Sequence, residues 1–185
     1  MMEKKRLTET ANGIEAFHGS QADFDNFSLA YALTGIGSNV YGKGVYVTDS
    51  MDAAKEYSHG HFVYTVTVPR RKYLSDSICR SRRTVQLLVS AFFKYYSEEN
   101  EEGKSLYSKH LKEFWMELAP LQRCSTLYEL YSSLLGFADE DVIQSFLSRF
   151  GYVGLKIKDE HVKQNVYVIF DAANVKIVKK ENLNQ

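Results

Sequence analysis

Two tyrosines framed by glycine, Tyr46 and Tyr57, are the side chains best suited to act on a flat ligand. Tyr46 closes the segment Tyr41-Gly42-Lys43-Gly44-Val45-Tyr46, and Tyr57 follows after one strand end and one short helix. Phenol rings carry an electron-rich face, so two of them set opposite each other clasp a planar, positively charged ring. Gly42 and Gly44 permit backbone angles and close approaches denied to other residues, which lets the loop lie against such a ring. Upstream stands Phe17-His18-Gly19-Ser20, and near the C-terminus Asn165-Val166-Tyr167-Val168-Ile169-Phe170-Asp171 reads as a buried strand ending in a turn. Both tyrosines also suit a packed core, and a histidine after an apolar residue is commonly a satisfied structural group.

The elements that must place these groups follow from the pattern. In a strand near Gly44 to Thr48, Val45 and Val47 point to one face and Tyr46 to the other. Asp49 or Ser50 is a credible N-cap, and the helix through Ala53 and Ala54 carries Tyr57 on its final turns, where its ring can face the first. Around them, residues from about Ile14 to Val68 mix strands and turns: one strand ends at His18, a polar loop holds Phe24 and Phe27, and another strand covers His61 to Val68. That last strand is apolar or β-branched on both faces, which predicts an internal position, and Pro69 stops it.

From about Ser81 to Phe150 the spacing becomes helical. Val85, Leu88, Val89, Phe92 and Tyr96 recur at three and four residues, and Glu98 to Gly103 is a solvated break. Leu111, Trp115 and Leu118 predict a second helix ahead of Pro120. Thr126 with Glu129 forms a capping box, and Asp139 opens a last helix through Phe150 with Gly151 as its left-handed terminator. Strands then return at Tyr152 to Ile157, Val166 to Phe170 and Val175 to Val178. The fold class is α+β, a single domain over 1–185 with a mostly helical insertion at 70–149.

Lys plus Arg and Asp plus Glu both number 23, so the whole chain exerts no net pull on nucleic acid or anionic lipid. The charged start Met1-Met2-Glu3-Lys4-Lys5-Arg6 leads into no apolar stretch, so neither a signal peptide nor a membrane anchor is expected and the compartment reads as cytoplasmic. Cys79 and Cys124 share no ligand-like spacing with the histidines, so no metal is expected and both thiols read as reduced and packed. His59, His61, His110 and His161 are read as structural.

Gly-Lys-Gly-Val-Tyr followed by an acid, an alanine and a second tyrosine resembles the donor-site segment of the ADP-ribosyltransferase superfamily, in its poly-ADP-ribose-polymerase-like branch. The transferase domains of phage and mobile-element proteins are the nearest in kind. His18-Gly19 is similar to the strand end that opens the family's NAD pocket. Phe150-Gly151-Tyr152-Val153-Gly154-Leu155-Lys156 and Tyr167-Val168-Ile169-Phe170-Asp171 resemble its later segments. The resemblance implies a split sheet around an NAD cleft, with NAD as ADP-ribose donor. It implies that His18 bonds the adenosine ribose, that the Gly19 backbone meets the nicotinamide carboxamide with Ser20 in support, and that Gly44, Tyr46 and Tyr57 border the nicotinamide.

Polymerising members carry a glutamate where this chain has Val166. That carboxylate stabilises the positive charge that builds on the ribose as the glycosidic bond breaks. Asp171 falls on the opposite strand face and is a poor substitute. Glu160, in the loop from Lys156 to Gln164, is the candidate catalytic acid beside His18 and Tyr46, and Gln164 shares a face with Val166 and can orient an acceptor. The resemblance then implies transfer of a single ADP-ribose to a macromolecular target by a toxin, defence or takeover enzyme, with an inhibitor or antitoxin protein as a further partner. The alternatives are a non-catalytic module that holds NAD or ADP-ribose and an NAD hydrolase. Arg70, Arg71, Lys72 and Tyr73, with Arg80, Arg82 and Arg83, form a basic cluster that can guide a nucleic-acid acceptor, although protein is the favoured acceptor.

Overall fold

Alternating apolar residues pair Gly13–Ser20 with Phe62–Val68 over the length from Ile14 to Ser20, and this ladder is the spine of the sheet. The computed structural model describes residues 9–10, 13–31, 41–77, 80–99, 124, 126–159 and 164–184. Among them the chain is α+β, with strands β1 (Glu9–Thr10), β2 (Gly13–Ser20), β3 (Val45–Thr48), β4 (Phe62–Val68), β5 (Lys72–Ser75), β6 (Tyr152–Asp159), β7 (Gln164–Ile169) and β8 (Lys176–Asn182). The helices are α1 (Met51–Ser58), α2 (Arg82–Glu99), α3 (Leu127–Leu134) and α4 (Glu140–Arg149). No helix among the described residues is long and apolar enough to cross a membrane.

The chain divides into two compact units, the first made of residues 1–73 and 153–185, the second of residues 74–152. In the first unit the strands run in the order β6-β7-β3-β2-β4-β8, with β1 as an additional partner of β2. β4 is internal, between β2 and β8, as its two apolar faces require. Ala16, Val45, Val47, Tyr64, Val66, Val68, Tyr167 and Ile169 form one buried cluster. Phe17 and Val63 form another, against Ala54 of α1. Since side chains alternate along a strand, the two clusters mark the two faces of the sheet.

Two strands run further than their apolar pattern indicates. β2 continues past His18, because Gly19 and Ser20 pair with Val63 and Phe62. β8 extends through the polar run to Asn182, which an edge strand tolerates because one side faces water. Its register shifts so that Ile177 opposes Val66 and Lys179 opposes Thr65, which leaves Val178 as the bulged residue, 65% exposed.

In the second unit the helical period holds: Val85, Val89, Phe92 and Tyr96 are buried on α2, although Glu98 and Glu99 belong to the helix and not to a break. Thr126 and Glu129 make the expected capping box at α3. Asp139 precedes α4 without a side-chain cap, and Gly151 ends the helix at φ 79°. Phe92 meets Phe146 edge-on at 5.2 Å, and Arg149 bonds Glu99 at 2.9 Å while lying over the Tyr95 ring. The helix expected around Trp115, together with Cys79, His110, Glu160 and His161, lies outside the described residues.

Candidate functional site

β4 covers one edge of β2, so β1 and β3 share the other. β3 meets β2 at Phe17↔Thr48 and, among the described residues, nowhere beyond it, although β3 stays paired with β7 back to Val45. The strands therefore part after Phe17, and His18 stands at the fork. Its Nδ1 lies 2.7 Å from the Tyr46 carbonyl oxygen. A carbonyl only accepts, so Nδ1 carries the proton and donates it. The ring is walled by Phe27, edge-on at 5.0 Å, by Phe24 at 6.0 Å and by Tyr64 at 6.2 Å. An edge of the residue still reaches solvent, yet the close packing strips the ring of water and pulls its pKa below the ordinary 6.5, against the opposing effect of the Tyr46 bond. The imidazole is thus neutral at pH 7, with Nε2 as an acceptor that no described residue occupies.

On the α1 face, alternation brings together Phe17, Gly19, Tyr46, Thr48 and Val166, through the pairs Phe17↔Thr48 and Thr48↔Val166. α1 presses directly on β2: a Cβ at Gly19 would overlap the Ala54 carbonyl oxygen and lie 2.6 Å from the Ser58 nitrogen. Ser50 is the N-cap, its Oγ accepting from the Ala53 N–H at 3.3 Å, and the helix ends at His59 in the left-handed region. Tyr57 projects from the last turn, 50% exposed. Asp49 caps nothing. Instead Oδ1 accepts from the Asn165 backbone N–H at 3.0 Å, Oδ2 accepts from its side-chain amide at 2.5 Å, and the Asp49 N–H donates to the Asn165 carbonyl at 3.2 Å.

Tyr46 is anchored by its own loop. Its hydroxyl donates to the Gly42 carbonyl at 2.7 Å and accepts from the Tyr41 N–H at 3.1 Å, and the two rings lie 6.5 Å apart at 25°. Gly42 sits at φ 108°, where only glycine is comfortable. Gly44 also answers to packing: a Cβ there would lie 2.6 Å from Val168 Cγ1 and 2.8 Å from the Ile169 oxygen, so β7 leaves no room for a side chain.

Other expectations divide. Gln164 begins β7 and so shares the face of Val166. Ser20 caps a local turn, accepting from the Ala22 N–H at 3.0 Å. Asp171 is spent on the turn after β7, accepting from the Ala173 N–H at 2.9 Å. Arg70 and Arg71 are not brought to the site: Gly19 pairs with Val63, and the β4 end they follow, at Val68, lies about 17 Å further along the strand. Nor is Tyr73 available for stacking on bases. Its hydroxyl donates to the Pro69 carbonyl at 2.7 Å, its ring meets Tyr167 edge-on at 5.3 Å, and burial drives its pKa upward. The aromatic wall of Phe24, Phe27 and Tyr64 and the Asp49–Asn165 clasp escaped the sequence reading. Two phenylalanines in an otherwise polar loop behind His18 were the available signal.

No family model and no curated protein matches this chain. Among solved structures, one titled "Crystal structure of an anti-CRISPR protein" is similar over 91% of this chain and 97% of its own, at 15% identity and a TM-score of 0.40. So loose a likeness carries no argument.

Gly19→Ala should lower stability by about 1–3 kcal/mol through overpacking against α1, measured by urea unfolding; an unchanged midpoint would remove that close approach. His18 gives a pH test. Below pH 6.5 the unfolded chain takes up a proton that the packed ring resists, so stability falls with acidification. Between about pH 7.5 and about pH 5.5, the melting temperature of the wild type should decline more steeply than that of His18→Gln; parallel declines would contradict the neutral ring.

Proposed function

We propose that the first unit binds NAD at the β2–β3 fork and transfers one ADP-ribose from it to a macromolecular acceptor. The observation that carries this reading is the contact of the His18 ring with the Tyr46 carbonyl where the ladder opens beyond Phe17↔Thr48, with Gly19, Tyr46 and Val166 on the α1 face of the sheet and Tyr57 on the helix that packs on Gly19. The order of these parts along the chain is that of the ADP-ribosyltransferases it resembles. A pyridinium suits phenol faces, an amide suits exposed strand backbone, and a ribose hydroxyl can donate to Nε2 of a neutral His18.

In the reaction, the bond between the ribose and the nicotinamide nitrogen breaks, and its electron pair leaves with nicotinamide. A nucleophile of the acceptor bonds to the anomeric carbon and gives up its proton. Positive charge gathers on the ribose meanwhile, and a fixed carboxylate would stabilise it. Position 166 offers only a valine, 5% exposed and paired with Thr48 and Ile157. Slow, single transfer is the consequence. A protein acceptor is favoured, since the chain is electrically neutral and Arg70 and Arg71 stand away from the fork.

The same buried valine favours a second reading, a module that holds NAD or ADP-ribose without cleaving it. Labelled NAD incubated with purified protein and cell lysate should mark discrete bands without ladders, and released nicotinamide should match the label; long ladders would exclude single transfer. Binding by calorimetry with no nicotinamide released would select the module. Tyr57→Ala, at an exposed position that leaves the core alone, should weaken NAD binding about tenfold, the size of a cation–π contact. Equal affinity in that variant would remove Tyr57 from the site.

A further inference from the structure

His18, Tyr64 and Lys180 stand side by side across β2, β4 and β8, paired as His18↔Tyr64 and Tyr64↔Lys180. One rung of the sheet thus reaches the loop that walls the imidazole at two depths. Inside, the Tyr64 hydroxyl donates to the Ala22 carbonyl and accepts from the Phe24 N–H, each at 3.0 Å. Its ring stacks on Phe24 at 4.3 Å and 11°, Phe24 meets Phe27 at 5.0 Å, and Phe27 meets His18 at 5.0 Å. Outside, the Lys180 ammonium bonds Asp23 at 2.5 Å and Asp25 at 3.3 Å.

A fully buried phenol could fill its space as phenylalanine at no cost in packing. Its hydroxyl is satisfied by the loop backbone, so the loop is what the hydroxyl is there to hold. The outer ion pairs are solvent-exposed and hold loosely by comparison.

We propose that the Tyr64 hydroxyl is the positioning group of this site: by closing the turn from Ala22 to Phe24 it sets the Phe24 and Phe27 wall against His18 and fixes the imidazole with its Nδ1–H on the Tyr46 carbonyl. Its consequence for nucleotide binding rests on the NAD reading above, whereas the device itself does not. Among the described residues, the titratable groups around the ring are Tyr64 from β4, with Asp23 and Asp25 of the loop and Lys180 of β8 on its outer side; β3 contributes the Tyr46 carbonyl.

The test is nitrogen-15 NMR of the His18 ring in the full chain, read for tautomer and titration midpoint, with NAD affinity measured by calorimetry on the same samples. In Tyr64→Phe the single tautomer should give way to a mixture, the midpoint should rise toward 6.5, and the Kd for NAD should increase about tenfold. Lys180→Met, which breaks only the outer ties, should leave the tautomer in place. Phe24→Leu removes the stack without touching β4 and should move the same signals, so it decides the matter if Tyr64→Phe does not fold. Ring signals in Tyr64→Phe or Phe24→Leu identical to the wild type would overturn the proposal. A wild type that binds no NAD sinks the NAD reading alone, because the imidazole signals still report on the wall.

Discussion

Hydrogen-bond accounting along one edge of β2 governs the rest of the first unit. Backbone donors and acceptors that leave a ladder need another partner, from side chain, solvent or ligand. β4 saturates one edge, while on the other the ladder with β3 stops after Phe17↔Thr48. At the next position the His18 ring takes over and satisfies the Tyr46 carbonyl. A side chain thus substitutes for a rung at the point where, among the described residues, the ladder with β3 ends.

The two flanks of the fork are fixed by different means. On one side α1 lies so close to β2 that position 19 has no room for a side chain, and the helix carries Tyr57 with it. On the other, Asp49 grips Asn165 through both carboxylate oxygens and so ties the end of β3 to the start of β7, one residue before Val166. The same carboxylate, after burial, contributes to holding the neighbouring Tyr167 phenol at a pKa of about 12.

These features give the site an uncharged character. On one face of β2 the imidazole is desolvated and neutral among the rings of Phe24, Phe27 and Tyr64, and on the α1 face the residue at the expected acid position, Val166, is aliphatic, with the Tyr46 ring held beside Tyr41. For the NAD site proposed above, uncharged surroundings suit binding of a flat cation more than rapid stabilisation of a developing charge. On the reading proposed above, slow transfer and binding without cleavage differ only in whether a carboxylate reaches the anomeric carbon.

Local order was readable from residue types. The alternation of β4, the Ser50 cap before α1, the Thr126 and Glu129 capping box and the Gly151 terminator all act within a few residues, so the chain itself carries their signals. The strand face shared by Gln164 and Val166 follows equally from a period of two. What required the folded chain were relations between distant segments. Gly44 is small because β7 lies beneath it, Arg70 and Arg71 stand away because β4 runs antiparallel to β2, and Tyr64 grips a loop forty residues earlier. Such contacts depend on register and on which strands become neighbours, and no local propensity encodes either.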